Sequence, residues 1–429
     1  MKKNINIAII GLGNIGSWLY KEIISKKKDI GLKTNTNINI VAISAKNINK
    51  KRNFKFSKNI FYKNPLDIAK SQKINILFEL IGFSDGISKK VVETALKNGK
   101  HVVTANKALI AKNGDYLSLL AEKNKVNLEF EAAVAGGIPV LRTIKDGLAT
   151  NKINKVVGIL NGTSNYILSE MENTNKSFKD VLSRAQSLGY AEANPKNDLD
   201  GNDVLSKIRI LSSLSFNTII SKNICLMDGI ENIELKDIKI ANQLNLRIKL
   251  LGITELLNNK LFERVHPCLV GKETYIGNIN GVMNAVILSG NPIGETVLQG
   301  EGAGPGPTSS ALLSDLLSVL RGNIKYPFGT PYKKRKTIKS YIKNNYFNSL
   351  YLRFEVKDKP GVLSEITKRL AEYKISVKRI IQTPDKKNKS ATIVIITHNT
   401  DENSSKNCLS MFKNNRNILK YPTLIRLYD

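Results

Sequence analysis

Short apolar runs alternate with helically patterned stretches through the first third of the chain. Residues 5–10 (INIAII) are continuously apolar and read as a buried parallel strand. They run into Gly11-Leu12-Gly13-Asn14-Ile15-Gly16, after which Trp18, Leu19, Ile23 and Ile24 recur at helical spacing. Residues 38–44, 74–82 (INILFELIG), 100–111 (KHVVTANKALIA) and 126–141 repeat the theme of an apolar run ending in a polar or small-residue turn. A helix is predicted over residues 88–98. Strands alternating with helices predict an open parallel sheet of the Rossmann type, so the fold class is α/β with further domains behind it.

A second unit begins with the strand at residues 155–160 (KVVGIL). Further strands are predicted at 264–269 and 285–288, and helices at 177–187, 203–213 and 309–320. After Tyr326 the chain turns polar and basic to about Asn348. Residues 349–382 then read strand, turn, helix, strand. A strand at 391–398, a helix and a last strand at 423–428 complete a ferredoxin-like βαββαβ order. The predicted boundaries are residues 1–140 (nucleotide-binding), 141–330 (an α+β substrate unit), 331–348 (basic linker) and 349–429.

Composition adds exclusions. A chain of 429 residues is too long for one core. Its 3 cysteines (Cys225, Cys268, Cys408) and 3 histidines are scattered, which argues against structural zinc and for a reducing, cytoplasmic setting. No apolar run reaches membrane-spanning length. The short N-terminal apolar run leads into a glycine turn rather than a cleavage site. The net charge of +30 raises the question of nucleic acid. The excess is mostly lysine, spread along the chain, and rises together with Asn and Ile. That is the mark of AT-rich coding, so neither a nucleic-acid nor a membrane partner is expected. The sharpest basic run, residues 333–339 (KKRKTIK), falls in the linker, where a solvated run is tolerated.

The glycine turn carries the first chemistry. Gly11 permits the tight turn, Gly13 lets backbone approach a pyrophosphate, and Gly16 allows close helix–strand packing. The strand over 38–44 ends in Ser44-Ala45-Lys46, with Lys50, Lys51 and Arg52 following and no carboxylate in place. That favours NADP(H), whose 2′-phosphate seeks cations, over NAD(H). Lys107 stands just past a strand C-terminus, where the ligand crevice of an open parallel sheet lies. Residues 300–308 (GEGAGPGPT) form a second glycine-rich loop before a helix.

The richest stretch is residues 159–210. It brings Glu192, Asp198, Asp200, Asp203 and Lys207 close in sequence. Asp203 and Lys207 are i and i+4 on a predicted helix. Alone, such a pair is most often a surface salt bridge. Carboxylates with a lysine also suit a cationic substrate that needs a proton donor beside it.

Together GLGNIG, TANKALIA, EAAVAGGIPV, GILNGTSNYIL, LGYAEANPKNDLDGNDVLSKI, GEGAGPGPTSS and DKPGVL resemble homoserine dehydrogenase in its longer form with a C-terminal ACT domain. The resemblance implies NAD(P)-dependent interconversion of L-homoserine and L-aspartate 4-semialdehyde. It makes Lys207 the proton donor and acceptor and Lys107 a second active-site lysine. Glu192 and Asp203 would bind the substrate ammonium, with Asp198 and Gly189 in the same substrate set. The cofactor set is Gly11, Gly13, Asn14, Ile15, Gly16, Lys46, Thr104, Lys107 and Gly302. Glu131, Val134, Gly136 and Ile138 match a sodium site built largely from backbone carbonyls. The ACT domain implies L-threonine as effector and a homodimer or homotetramer, with dimerisation through the catalytic domain. Asn194 departs from the commoner Asp but leaves Glu192 intact. Two lysines converging on one oxygen are expected to depress each other's pKa. Cys225 and Cys268 lie in no activating context, which excludes a thiol-dependent semialdehyde dehydrogenase. A non-catalytic dinucleotide sensor is disfavoured by the presence of Lys207 and Glu192.

Overall fold

A computed structural model describes the chain except residues 1, 51, 53, 224, 323, 342–345, 386 and 429. Lys51, one of the cations near the second strand, therefore lies outside the described residues. The first sheet has five parallel strands, β1 (Lys3–Ile10), β2 (Thr36–Ser44), β3 (Ile76–Glu79), β4 (His101–Thr104) and β5 (Leu128–Glu129), in the order β2-β1-β3-β4-β5. The crossover between β2 and β3 reverses direction at β1, and the crevice opens at the strand C-termini there. Ile7 and Ile9 on one face, and Ala8 and Ile10 on the other, are all buried, which explains the unbroken apolar run.

The first turn needs its glycines at Gly11 and Gly16. Gly11 has φ +100, and Gly16 sits so close to it that a Cβ would lie 1.9 Å from the Gly11 carbonyl oxygen. Gly16→Ala is expected to weaken dinucleotide binding about tenfold or more by pushing helix from strand. NADPH fluorescence titration reads this, and unchanged affinity would remove Gly16 from the cradle.

The second sheet is larger than the sequence suggested. It contains β6 (Lys152–Ile159), β7 (Leu226–Met227), β8 (Leu246–Leu257), β9 (Lys260–Gly271), β10 (Met283–Asn291) and β11 (Gly294–Glu301). The C-terminal unit contributes β12 (Phe347–Asn348), β13 (Leu350–Lys357), β14 (Val377–Asp385), β15 (Ser390–Thr397), β16 (Thr400–Asp401) and β17 (Ile418–Tyr428). One continuous path runs β11-β10-β6-β8-β9-β17-β13-β15-β14, with β7 beside β9, while β12 and β16 form a separate two-stranded sheet. The ACT-type unit therefore extends the catalytic sheet, through β17 lying parallel to β9.

Three expectations change in detail. Residues 126–141 hold only the short β5, followed by a 3-10 turn at Glu131–Ala133. Left-handed Ala135 (φ 56) and Gly136 (φ 54) break the extended chain there. Helix Pro305–Leu320 leaves its neighbours in sequence and packs Leu312, Leu316 and Val319 against Ile7 and Ile9 of β1 and Leu19 of the helix that follows the glycine turn. The basic run after Tyr332 is not freely solvated. Arg335 is 6 % exposed, donating to Asp115 at 2.6 Å and to the Thr218 carbonyl at 3.2 Å. No helix among the described residues is long and apolar enough to cross a membrane.

Candidate active site

Helix Asn202–Ser215 turns Val204, Ile208 and Leu211 into the core. The same 3.6-residue period puts Asp203 and Lys207 side by side at the crevice between the two sheets. A cavity of about 490 Å³ opens there, lined among others by Lys107, Asn161, Asp198, Asp203, Lys207 and Gly302. Ile15, Gly136 and Gly189 also reach its wall.

Asp203 is its hub. One carboxylate oxygen accepts from Lys107 Nζ at 2.8 Å. The other accepts from Lys207 Nζ at 2.7 Å and from Asn161 Nδ2 at 2.9 Å. Lys207 also donates to the Leu160 carbonyl at 2.5 Å. An ammonium has three hydrogens, so one donor is left for the cavity. Helix Lys107–Lys123, capped by Asn106, launches Lys107 from the end of β4, and its side chain stays 44 % exposed at the mouth. Lys207 is buried, with a side chain 9 % exposed.

The electrostatics separate the two lysines. Burial lowers the Lys207 pKa, and repulsion from Lys107 adds to it against the pull of Asp203. For Lys107, burial acts downward, but Asp203, with Asp198 and Glu192 behind it, outweighs this and the pKa rises. The expected mutual depression is thus corrected to a split. One shared carboxylate is flanked by a buried lysine and an accessible one, and the accessible lysine keeps its proton. Asp203 is buried too, yet the two lysines hold its carboxyl well below the usual range. Burial raises Asp198, against an Asn161 hydrogen bond that lowers it, and neighbouring Asp203 adds to the rise.

Asn161 was not singled out from sequence. Its Nδ2 donates to Asp198 at 2.8 Å as well as to Asp203, and its Oδ1 caps helix Gly162–Thr174 by accepting from Ser164 N–H. A cap-competent Asn before Gly162 was visible in NGTSN. Its bridge between two carboxylates spans 37 and 42 residues of chain and was not.

Other expected residues fall outside the cavity wall. Glu192 sits on an exposed loop near it, acting on Lys107 by charge, while its main-chain oxygen accepts from Gln186. Thr104 is buried with its hydroxyl donated to Glu79 at 2.7 Å, so its side chain braces the crevice floor. Lys46 is exposed and lines neither this cavity nor the next. Asp200 is used by its own turn, accepting from Asn202 N–H at 2.9 Å.

A second, smaller cavity of about 300 Å³ adjoins the glycine turn and is lined by Gly13, Asn14, Lys21, Lys50, Arg52 and Trp18, among others. The helix after Gly13 carries no side-chain cap, and a Cβ on Gly13 would meet nothing within 4 Å. Uncapped N–H groups beside open space fit a pyrophosphate. No carboxylate lines this cavity among the described residues. Arg52 donates to the carbonyls of Leu12, Asn47, Ile48 and Lys50, folding the basic loop against the turn.

The segment Glu131 to Ile138 lies under the Gly302 loop. A Cβ on Gly136 would come within 2.4 Å of the Gly302 carbonyl carbon, and one on Gly302 within 2.0 Å of the Asn284 amide. Main chain is thereby pressed against main chain, and the Gly137 N–H donates to the Glu301 carbonyl at 3.1 Å. The Glu131 carboxylate is occupied by the Leu141 and Arg142 N–H groups, both at 2.8 Å. What remains for a cation is main-chain oxygen, a hard donor chemistry that suits an alkali ion. Among the described residues no cluster of three or more His, Cys, Asp or Glu side chains is placed to hold a metal.

Comparison with known proteins gives three matching family models: the homoserine dehydrogenase NAD binding domain over residues 11–131, homoserine dehydrogenase over 139–317 and the ACT domain over 350–407. The chain is 38 % identical to homoserine dehydrogenase of Neisseria gonorrhoeae, covering 99 % of each. It is 37 % identical to that of Helicobacter pylori, covering 100 % of each. Its fold matches the crystal structure of a homoserine dehydrogenase from Thiobacillus denitrificans with a TM-score of 0.90 at 34 % identity, over 100 % of this chain and 99 % of that one.

Proposed function

Because this chain belongs to the homoserine dehydrogenase family, we propose that it interconverts L-homoserine and L-aspartate 4-semialdehyde, with Lys207 exchanging the proton. The observation that carries the assignment of roles is the pair of lysines on one buried carboxylate, Lys207 at 2.7 Å and Lys107 at 2.8 Å from Asp203.

Oxidation removes a hydride from the carbinol carbon of homoserine and a proton from its hydroxyl. A bound nicotinamide supplies the hydride chemistry. The protein must hold the carbon still and take the proton. Lys207, with its pKa lowered by burial, accepts the hydroxyl proton in oxidation and returns it to the aldehyde oxygen in reduction. Lys107 stays charged and steadies the developing alkoxide. Asp198, Asp203 and Glu192 offer negative charge to the substrate ammonium, with Asn161 fixing the spacing of the first two. Gly189 and Gly302 supply close-lying main chain. Gly11, Gly13, Asn14, Ile15 and Gly16 would cradle the dinucleotide phosphates. Glu131, Val134, Gly136 and Ile138 would hold a structural sodium ion through main-chain oxygens, bracing the loop below Gly302.

The preference is for NADPH. Lys50 and Arg52 beside Gly13, with no carboxylate in the lining, support it. Steady-state reduction of aspartate semialdehyde is expected to show kcat/KM about tenfold or more higher with NADPH than with NADH, since a charge-assisted phosphate contact is worth that much. Lys50→Glu should lower the NADPH value alone. Equal efficiency with both cofactors would remove the NADP reading. No turnover with either, in folded protein that still binds NADPH, would restore the sensor reading. The ACT unit is proposed to sense an amino acid, L-threonine first among candidates, in a homodimer or homotetramer.

A further inference from the structure

Where β17 joins β9, Arg426 lies opposite Cys268. Beside that seam is a cavity of about 500 Å³, as large as the one holding Lys207. The reaction makes no use of it. One wall is the catalytic segment from Asp228 to Glu234. The other comes from the C-terminal unit, through Arg353, Lys406 and residues 420–426. We propose that this seam cavity binds a free α-amino acid, and that occupancy weakens substrate binding by shifting the turn that carries Asp198. The proposal rests on the amino-acid-effector reading above, and gives that effector a place away from the DKPGVL turn.

The lining chemistry selects the ligand class. Arg426 and Arg353 are 1 % and 3 % exposed. Arg426 donates to Glu402 at 3.1 Å and to Asp228 at 2.8 Å. Arg353 donates to Asp237 at 2.7 Å and to Thr423 Oγ1 at 2.9 Å. Arg353 spends its remaining hydrogens on Glu234, Glu355 and the Asn232 carbonyl. Arg426, bound to Glu402 through two nitrogens, keeps one hydrogen on each terminal nitrogen, a planar pair that suits a carboxylate. Asp228, Glu231 and Glu234 line the same space and suit an ammonium. Cations and carboxylates side by side fit a zwitterion, whereas a polyanion would meet three carboxylates. Ile233, Leu409 and Leu424 leave an apolar wall for a side chain.

The cavity is wired to the active site by main chain. Of the two carboxylates on Arg426, Glu402 is sealed at 1 % side-chain exposure and Asp228 is open at 48 %. A ligand carboxylate therefore displaces Asp228. The next residue, Gly229, lies so near the substrate loop that a Cβ would sit 2.3 Å from the Leu199 carbonyl oxygen. The Ile230 N–H donates to that same oxygen at 2.9 Å. Leu199 follows Asp198 directly. Movement at Asp228 thus reaches a substrate-facing carboxylate without crossing loosely packed space.

The test uses the full chain and titrates L-threonine, L-methionine and L-isoleucine calorimetrically, with inorganic phosphate as control. KM and kcat for homoserine are measured in parallel. One amino acid is expected to bind at millimolar concentration and raise KM several-fold with kcat unchanged. The Glu231→Gln/Lys420→Gln double variant, altered only at accessible lining positions, should bind it about tenfold more weakly and keep the basal KM. Asp228→Asn, which loosens the Arg426 link without emptying it, should show a raised basal KM and a smaller response. Wild-type affinity in the double variant, with binding lost in Gly361→Ala, would put the effector at the DKPGVL turn and refute the seam. Phosphate binding in place of amino acids would refute the zwitterion assignment. No heat and no KM change with any of the three amino acids would overturn the effector reading and this proposal with it.

Discussion

Lys207→Ala is expected to lower kcat about 10³-fold in both directions while the protein stays folded and still binds NADPH, the range typical of losing a positioned acid or base. The pH dependence carries the sharper signature. Oxidation needs Lys207 neutral, so its rate should fall as pH falls through the lowered Lys207 pKa. Reduction needs Lys207 charged, so its rate should fall as pH rises through the same value. Both limbs should vanish in the alanine variant. If the variant retains the limbs and most of its rate, proton transfer belongs to Lys107, whose raised pKa would otherwise keep it charged throughout. The split between the two lysines makes this outcome decisive, because only one of them is moved toward neutrality.

Asp203→Leu should hurt both stability and activity. Asp203 is 6 % exposed and is the carboxylate shared by Lys107 and Lys207. Removing it leaves Lys207 buried without a counter-charge, and breaking a buried pair in this way costs about 3–5 kcal/mol. Lys207 would then relieve the cost by shedding its proton, so reduction should suffer more than oxidation. Thermal melts and kcat in each direction read the two effects. Asp203→Asn keeps the volume and an acceptor for Lys207, and should recover part of the stability with little of the activity. The sign follows from linkage. Asp203 has a depressed folded pKa, so its stabilisation is present above the ordinary carboxylate value and is lost only as pH falls toward the folded one. A melt of Asp203→Leu that coincides with wild type at neutral pH would show the lysines are held by other means, with Asn161 and the Leu160 carbonyl the nearest alternatives.

Much of this site was legible because it is local. GLGNIG is contiguous, and its three glycines answer to one turn and one helix start, so spacing alone specifies the cradle. Asp203 and Lys207 share a helix face by periodicity, and the apolar positions Val204, Ile208 and Leu211 say which way that face turns. Lys107 was readable from its place past a strand end. Where reading from sequence fell short, the interactions cross long stretches of chain. The bond from the Thr104 hydroxyl to Glu79 could not be read from sequence; it exists because β3 and β4 are neighbours and their ends meet. Which of the basic residues after the second strand line the cavity was likewise not readable: the loop curls so that Lys50 and Arg52 do. The apolar run at 126–141 looked like a strand because burial and strand patterning are indistinguishable over a few residues.

The sequence by itself determined the reaction family, the glycine cradle and the helix that pairs a carboxylate with a lysine, since each is written in residues within a few turns of one another. The tertiary structure alone decided which lysine is moved toward neutrality, for that depends on burial and on a neighbour 100 residues away in number. It decided that Asn161 ties two carboxylates together and that Arg335 is buried. It also joined the C-terminal unit to the catalytic sheet through β17, and so brought Arg426 to Asp228. Desolvation and charge act through space at distances of a few ångströms, and chain order says little about which distant groups will share them.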